Sequence, residues 1–148
     1  YRPLADKYTK WRNNLTENDI QGFKQLPKTG DILIITKSMK DVMCLYEMGI
    51  PAISPSSEST FIPQKALDQL KKRFKTILIC FDRDEAGCKY LRKISLKTGL
   101  KPFLVHKKWK AKDISDAIKA NSFESIKLWI YEEIEKEKRR QSTKCNSK

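Results

Sequence analysis

The chain has 148 residues, which is long enough for one ordinary domain with a hydrophobic core plus flanking segments. Hydrophobic residues make up 39% and charged residues 33%, which suits a soluble globular protein rather than a membrane protein, and no apolar run approaches the roughly 20 residues that cross a bilayer. The net charge of +13 favours polyanionic partners, with nucleic acid first, although a solubilising surface has the same composition.

Cysteine usage and the N-terminal residues indicate the compartment. The four cysteines form no CxxC pair and the chain has one histidine, which argues against a structural zinc site. The first residues lack the order of a signal peptide. We therefore expect a non-secreted, cytoplasmic protein with reduced thiols and no membrane partner.

The first half of the chain predicts an N-terminal segment followed by two strand–helix pairs. Residues Tyr1–Pro27 are mixed in character and include a short helical candidate at Thr16–Gln25. The predicted elements that follow are a buried strand at Ile32–Thr36, a helix capped by Ser38 and ending at Gly49, a strand at Pro51–Ser54 and a helix at Pro63–Phe74.

The second half continues the alternation of strands and helices. An apolar strand at Thr76–Phe81 ends in an acidic turn, and the helix that follows stops at Gly99. After it come a strand at Pro102–Val105, a helical stretch from Lys112, a C-terminal helix over residues 121–140 and a disordered tail at Gln141–Lys148.

Buried strands that alternate with amphipathic helices predict an α/β fold with a parallel sheet of about four strands flanked by helices. In such sheets, functional sites form beyond the carboxyl ends of the strands. The candidate site residues at these ends are Lys37, Glu58, Asp82, Asp84 and Asp113.

Asp82 and Asp84 directly follow the strand at Thr76–Phe81. If extended geometry persists, side chains two apart point the same way, so both carboxylates can face one cation. Oxygen ligands of this kind suit Mg²⁺ or Mn²⁺. Gly87 allows a tight turn into a helix whose amides can bind phosphate. The alternative is that these acidic residues only cap the helix.

Three blocks of sequence stand out together, namely Ile34–Asp41, Cys80–Gly87 and Ala111–Asp116. They resemble the three blocks of the Toprim domain, most closely that of bacterial- and phage-type DNA primases. The resemblance extends from about Gly30 to Ala120, which implies a compact Toprim-like domain over residues 28–120. The stretch Tyr1–Trp11 is similar to the segment that precedes Toprim in such primases, so residues 1–27 would be the remnant of an upstream subdomain.

The resemblance implies Mg²⁺-dependent joining or cleavage of nucleic-acid strands. By this likeness Asp82, Asp84 and Asp113 would serve the metal ions, and Asp41 falls on an acidic position of the first block. The chain departs from the family at Lys37, where the family usually has a glutamate. A charged lysine cannot bind Mg²⁺.

Two explanations of Lys37 remain open. In the first, Glu58 replaces the missing glutamate and Lys37 contacts a phosphate of the triphosphate or template. In the second, the domain has lost part of its catalytic apparatus and binds nucleic acid without turnover. Glu58 is otherwise a solvated loop carboxylate, Asp41 a first-turn helix residue and Asp113 a helix cap.

The segment Lys107–Lys110 places an aromatic residue among cations. Lys108 and Trp109 are therefore candidates for binding single-stranded nucleic acid, with the ring stacking on a base. Equally, Trp109 can pack on the sheet within a basic loop. Lys112 is a further candidate for phosphate contact.

The leading functional hypothesis is the Toprim portion of a DNA primase, with Mg²⁺ (or Mn²⁺), NTPs and a single-stranded DNA template. A replicative helicase is a further candidate partner, and we expect the segment alone to be poorly active or inactive. The alternatives are a Toprim nuclease and a nucleic-acid-binding scaffold within a replication complex.

Overall fold

The computed structural model describes residues 4–6, 8, 9, 15, 16, 18–57 and 60–145. Within these residues a five-stranded sheet runs in the order β1-β3-β2-β4-β5, with β1 at Ile20–Gln21 on one edge. The predicted parallel α/β sheet is confirmed, since strands β2 to β5 pair in parallel. Their bounds are Gly30–Thr36 for β2, Ala52–Pro55 for β3, Phe74–Cys80 for β4 and Lys101–Phe103 for β5.

In the described part of the chain, five α-helices flank the sheet. They are α1 Met39–Glu47, α2 Gln64–Arg73, α3 Glu85–Thr98, α4 Ile114–Ala120 and α5 Phe123–Cys145. No helix in the part of the chain described here is long and apolar enough to cross a membrane.

The central strand β2 is buried on both faces because helices cover both sides of the sheet. Ile34 belongs to a core that α1, α4 and α5 close, whereas Leu33 and Ile35 belong to a second core closed by α2 and α3. All three side chains are fully buried. This burial explains why the strand has no alternation of polar and apolar residues.

The helix predicted at Thr16–Gln25 is wrong. Ile20 and Gln21 form the short strand β1, which pairs antiparallel with the edge of β3, and a single 3₁₀ turn follows at Phe23–Gln25. Gly22, with φ of 81°, separates the two elements. The N-terminal segment therefore adds a fifth strand to the sheet, because pairing with an open edge satisfies backbone groups that a short isolated helix would leave unbonded.

The helix α5 extends over residues 141–145, into the stretch predicted as a disordered tail. Ion pairs at i,i+3 spacing line the polar part of this helix, namely Lys136–Glu133, Lys138–Glu135 and Arg140–Glu137. Such pairs and the high helix propensity of Glu, Lys and Arg support a helix without a core face.

Candidate functional site

The carboxyl ends of the parallel strands bring the candidate residues to one edge of the sheet. Thr36, the last residue of β2, is in register with Cys80, the last residue of β4. Lys37 and Asp82 follow these two strand ends. Because the strands are neighbours, the cation and the carboxylate meet at this edge, where the charge of Lys37 offsets part of the rise that burial causes in the pKa of Asp82.

The turn after β4 depends on Asp84 and Gly87. Asp84 caps α3, and its Oδ1 accepts a hydrogen bond of 2.7 Å from the amide of Gly87. A Cβ atom at Gly87 would overlap the backbone carbonyl oxygen of Asp82. A helix cap and a close backbone approach thus explain the spacing DxDxxG locally. The capping interpretation of Asp84 is correct for one of its carboxylate oxygens, Oδ1.

Asp82 lies in a partly buried position among charges of both signs. Its side chain is 16% exposed, and Nζ of Lys112 lies 4.0 Å from its Oδ2. Burial raises the pKa of Asp82 above its usual value. The charges of Lys37 and Lys112 lower this pKa, and those of Asp113 and Asp84 raise it. Asp82 is therefore the residue at which the acidic and basic candidates meet.

Asp113 and Asp41 tie two helices together. Asp113 caps α4, and its Oδ1 accepts hydrogen bonds from the amide of Asp116 (2.7 Å) and the hydroxyl of Ser115 (2.9 Å). Oδ1 of Asp41 accepts a 2.9 Å bond from the amide of Ser115, and Ser38 donates its hydroxyl to Oδ2 at 3.2 Å. Both predicted structural roles, as cap and as first-turn residue, are present.

Burial shifts the pKa of Asp41 strongly upward. Its exposed fraction is 3%, and burial raises its pKa to about 6. The negative charges of Asp113 and Asp82 raise it further, whereas the bonds from Ser115 and Ser38 lower it. Three carboxylates are therefore close enough to repel one another, and the repulsion is a reason for the site to attract a cation.

The residues described here do not form a closed metal cage. No group of three or more His, Cys, Asp or Glu side chains among them is arranged to hold a metal ion. Glu58, the candidate replacement for the missing family glutamate, lies outside the described residues. Mg²⁺ is often bound by one or two carboxylates that share it with water and substrate phosphates. The hard oxygen donors of Asp82 and its neighbours fit this open type of site.

A basic concavity adjoins the acidic residues. It has a volume of about 550 Å³ and is lined by Lys110, Lys112, Lys119 and Asp116, together with two alanines. Lys112 belongs to both the concavity and the surroundings of Asp82. A phosphate group bound here would therefore lie beside the carboxylates.

Trp109 packs against the core, as the alternative interpretation expected. It lies on a 3₁₀ turn, Lys107–Trp109, with its ring 6.0 Å from that of Trp129 and with Nζ of Lys108 4.5 Å above it. Its carbonyl accepts a hydrogen bond from Asn121. The Trp109 ring thus packs between the core ring of Trp129 and the side chain of Lys108, which favours a structural role.

Sequence reasoning missed Arg83 and Ser115. The amide of Arg83 donates to the carbonyl of Lys112 at 2.7 Å, and its guanidinium donates to the carbonyl of Val105, so Arg83 fastens the β4 turn to the loop before α4. Ser115 joins Asp41 to Asp113. The sequence offered two signals for these residues. They are an arginine between two aspartates and a serine two residues after a capping aspartate.

A model of Toprim-like domains matches residues 34–118, more than half of the chain. No curated protein matches.

Two solved structures have a similar fold. One is a chain of the bacteriophage T7 lagging-strand DNA polymerase complex with the primase domains of two gp4 subunits, bound to an RNA/DNA hybrid and dTTP. It has a TM-score of 0.56 and 19% identity, and the match covers 82% of this chain and 62% of that one. The other is the primase fragment of the bacteriophage T7 primase-helicase, with a TM-score of 0.53, 20% identity and coverage of 76% and 48%.

The chain thus spans between about half and three fifths of these two structures. At such identities the likeness concerns the fold, and the family rests on the matched model. On that match, which contains Asp41, Asp82, Asp84 and Asp113, the chain belongs to the Toprim-like family of domains.

Proposed function

We propose that this chain is the Toprim portion of a DNA primase, which makes short RNA primers on single-stranded DNA by Mg²⁺-dependent nucleotidyl transfer. The observation that carries the proposal is the electrostatic cluster of Asp41, Asp82 and Asp113 at one sheet edge, with Lys112 4.0 Å from Asp82. Carboxylates that hold a cation beside lysines that bind phosphate are the parts that phosphoryl transfer uses. The primase domains named in the similar structures support the same class.

In this proposal Asp82 and Asp84 hold Mg²⁺ (or Mn²⁺) together with phosphate oxygens, and Asp113 and Asp41 complete the acidic surroundings. Glu58 takes the place of the glutamate that the family usually has where this chain has Lys37. The bound ion would screen the charge of the incoming triphosphate and favour ionisation of the primer 3′-hydroxyl.

The cations orient the phosphates. Lys37 and Lys112 flank Asp82, so they would contact phosphates close to the carboxylates. Lys108 would extend the contact along the template strand. Trp109 keeps its packing role and is not assigned a base.

The partners that follow are single-stranded template, NTPs and a replicative helicase, in the cytoplasm of a bacterial or phage-infected cell. Because the chain spans only part of the similar primase structures, we expect weak or no primer synthesis by this segment alone. Metal binding is therefore the first property to test.

The test is a Mn²⁺ titration followed by water-proton relaxation. We compare the wild type with Asp82→Asn/Asp84→Asn, because asparagine retains the capping bond to Gly87 that alanine would remove. Asp31→Asn/Asp68→Asn is the matched control, with the same change of charge at two exposed positions outside the site.

We expect relaxation enhancement in the wild type and the control, and its loss in the Asp82/Asp84 variant. Equal enhancement in all three proteins would contradict the proposed metal site. Incorporation of labelled NTPs on single-stranded template then tests priming, and nicking of a duplex instead would indicate a nuclease.

A second candidate function is a binding or scaffold module without turnover. The observations that favour it are Lys37 beside Asp82 and the lack of a three-ligand group among the residues that the structure describes. This function predicts salt-sensitive DNA binding that survives both Asp82→Asn and removal of divalent ions.

A further inference from the structure

A second basic concavity lies at the opposite end of the sheet. It has a volume of about 400 Å³ and is lined mainly by Lys71, Lys72, Arg73 and Lys75, with Asp31 as its one carboxylate. Its floor is the start of β2 and β4, where Gly30 pairs with Phe74. Phe74 and Asp82 are eight positions apart along an extended chain, or about 26 Å. The concavity is therefore distinct from the candidate site.

Among the described residues, Lys71, Lys72 and Arg73 form no ion pair with a carboxylate, so most of the positive charge in this concavity is not neutralised there. Nζ of Lys71 donates to the carbonyl of Thr98 at 2.9 Å, and the guanidinium of Arg73 donates to the carbonyls of Pro27 and Lys28 at 2.7 and 3.0 Å. Carbonyl oxygens satisfy the donors but leave the net charge in place.

Lys75 is the lining cation that does form an ion pair. Within the described residues, its Nζ lies 2.9 Å from Oδ1 of Asp31, which also lines the concavity. The charge of Lys138, from α5, also lowers the pKa of Asp31. Lys138 is itself paired with Glu135 at 2.8 Å, so the charge available to an anion comes from the lining residues Lys71, Lys72 and Arg73.

Two of the cations are also held in place. The guanidinium carbon of Arg73 lies 5.4 Å from the ring centroid of Phe23 and 5.6 Å from that of Phe74. Together with its two carbonyl partners, these rings fix the guanidinium, and Thr98 fixes Lys71. A ligand that binds here need not order these side chains, which lowers the entropic cost of binding.

The lining favours phosphate over a folded acidic protein. The large apolar residues that are well exposed in the described part of the chain are not among those that line the concavity, and Phe74 in its floor is 3% exposed. A protein interface normally has an apolar centre, whereas the phosphate backbone of nucleic acid needs cations and hydrogen-bond donors.

We propose that this concavity is a second phosphate-binding site, which takes the sugar–phosphate backbone of single-stranded nucleic acid at a distance from Asp82. The proposal does not depend on catalysis or on a metal ion. Contacts at both ends of the sheet would let one strand bind along the domain and raise its affinity above that of either end.

The test is binding of a fluorescein-labelled oligothymidylate of about 20 nucleotides, measured by anisotropy in EDTA between about 50 and about 200 mM salt. The variant is Lys71→Gln/Lys72→Gln. The matched control is Arg92→Gln/Lys93→Gln, an adjacent pair of exposed cations halfway along α3.

If both lysines contact phosphate, affinity falls about 25-fold at about 0.1 M salt, and the slope of log affinity against log salt falls by about 1.4. The Arg92/Lys93 control should lose much less affinity, because only the small effect of net charge acts on it. Equal losses in the Lys71/Lys72 variant and the Arg92/Lys93 control would overturn the proposal, since net charge alone would then explain them.

A competitor of polyglutamate distinguishes the class of partner. If polyglutamate with the same number of charges displaces the oligonucleotide from the wild type with equal or better affinity, the site prefers an acidic protein segment and the nucleic-acid proposal fails. Retained oligonucleotide binding in the presence of polyglutamate supports it, whatever the outcome of the metal titration.

Discussion

Replacing Asp41 by asparagine should stabilise the protein at neutral pH. The buried carboxylate has its pKa raised from 3.8 to about 6, so its ionised form is disfavoured in the folded state. That difference corresponds to about 3 kcal/mol of stability lost once the carboxyl ionises. Asparagine is neutral, can still accept the bond from the amide of Ser115 and can donate to the hydroxyl of Ser38. We expect Asp41→Asn to gain up to about 3 kcal/mol at pH 7.

The sign of the pH dependence follows from the raised pKa. The stability that the protonated Asp41 contributes is fully present below pH 3.8 and is lost as pH rises through about 6. The advantage of Asp41→Asn should therefore be large at pH 7, smaller at pH 5 and absent below about pH 4. Urea unfolding, followed by circular dichroism in EDTA at several pH values, measures the free energy of unfolding of both proteins.

Asp31→Asn is the matched control because the pKa of Asp31 is shifted the other way. Its hydrogen bond and ion pair with exposed Lys75 lower its pKa, so its contribution is present above pH 3.8 and is lost as pH falls. We expect a small loss of stability at pH 7 that disappears in acid. An Asp41→Asn protein that is no more stable at pH 7, or whose advantage persists unchanged at pH 4, would refute the reasoning.

Three other substitutions test the local geometry. Gly87→Ala forces a Cβ onto the carbonyl of Asp82, so we expect a loss of about 1–3 kcal/mol in urea unfolding together with weaker Mn²⁺ binding. Asp113→Ala removes the cap of α4 and should cost about 1–2 kcal/mol, most of which Asp113→Asn restores; equal losses would argue against the cap. Tyr131→Phe removes the 2.8 Å bond to the carbonyl of Met48, and thermal unfolding should show a loss of about 1 kcal/mol.

Local sequence patterns predicted much of the fold. Uninterrupted apolar runs predicted the buried parallel strands, because a strand covered on both faces has no solvent side to mark. Ser38 was identified as a helix cap and accepts the bond from the amide of Asp41, as predicted. The DxDxxG spacing likewise located the turn after β4, since capping and close backbone approach act within a few residues.

The same patterns failed where a distant partner decides the outcome. Thr16–Gln25 contains a helix-like arrangement of residues, yet Ile20 and Gln21 pair with Ser54 and Pro55 because β3 offers an open edge. Trp109 among lysines left base stacking and packing on the sheet equally open, and the position of Trp129 in α5 gives the ring a core neighbour.

Some features of the candidate site were likewise predictable from the sequence, and others depend on distant partners. The sequence alone determined which acidic residues follow strands and open helices, because strand ends and caps are local features. Only the tertiary structure decided that Asp41 is bonded to Ser115, 74 positions away, and that Lys112 lies beside Asp82. Burial and the charges of neighbours from other elements set the pKa of a carboxyl, and neither is a property of the residues next to it in the chain.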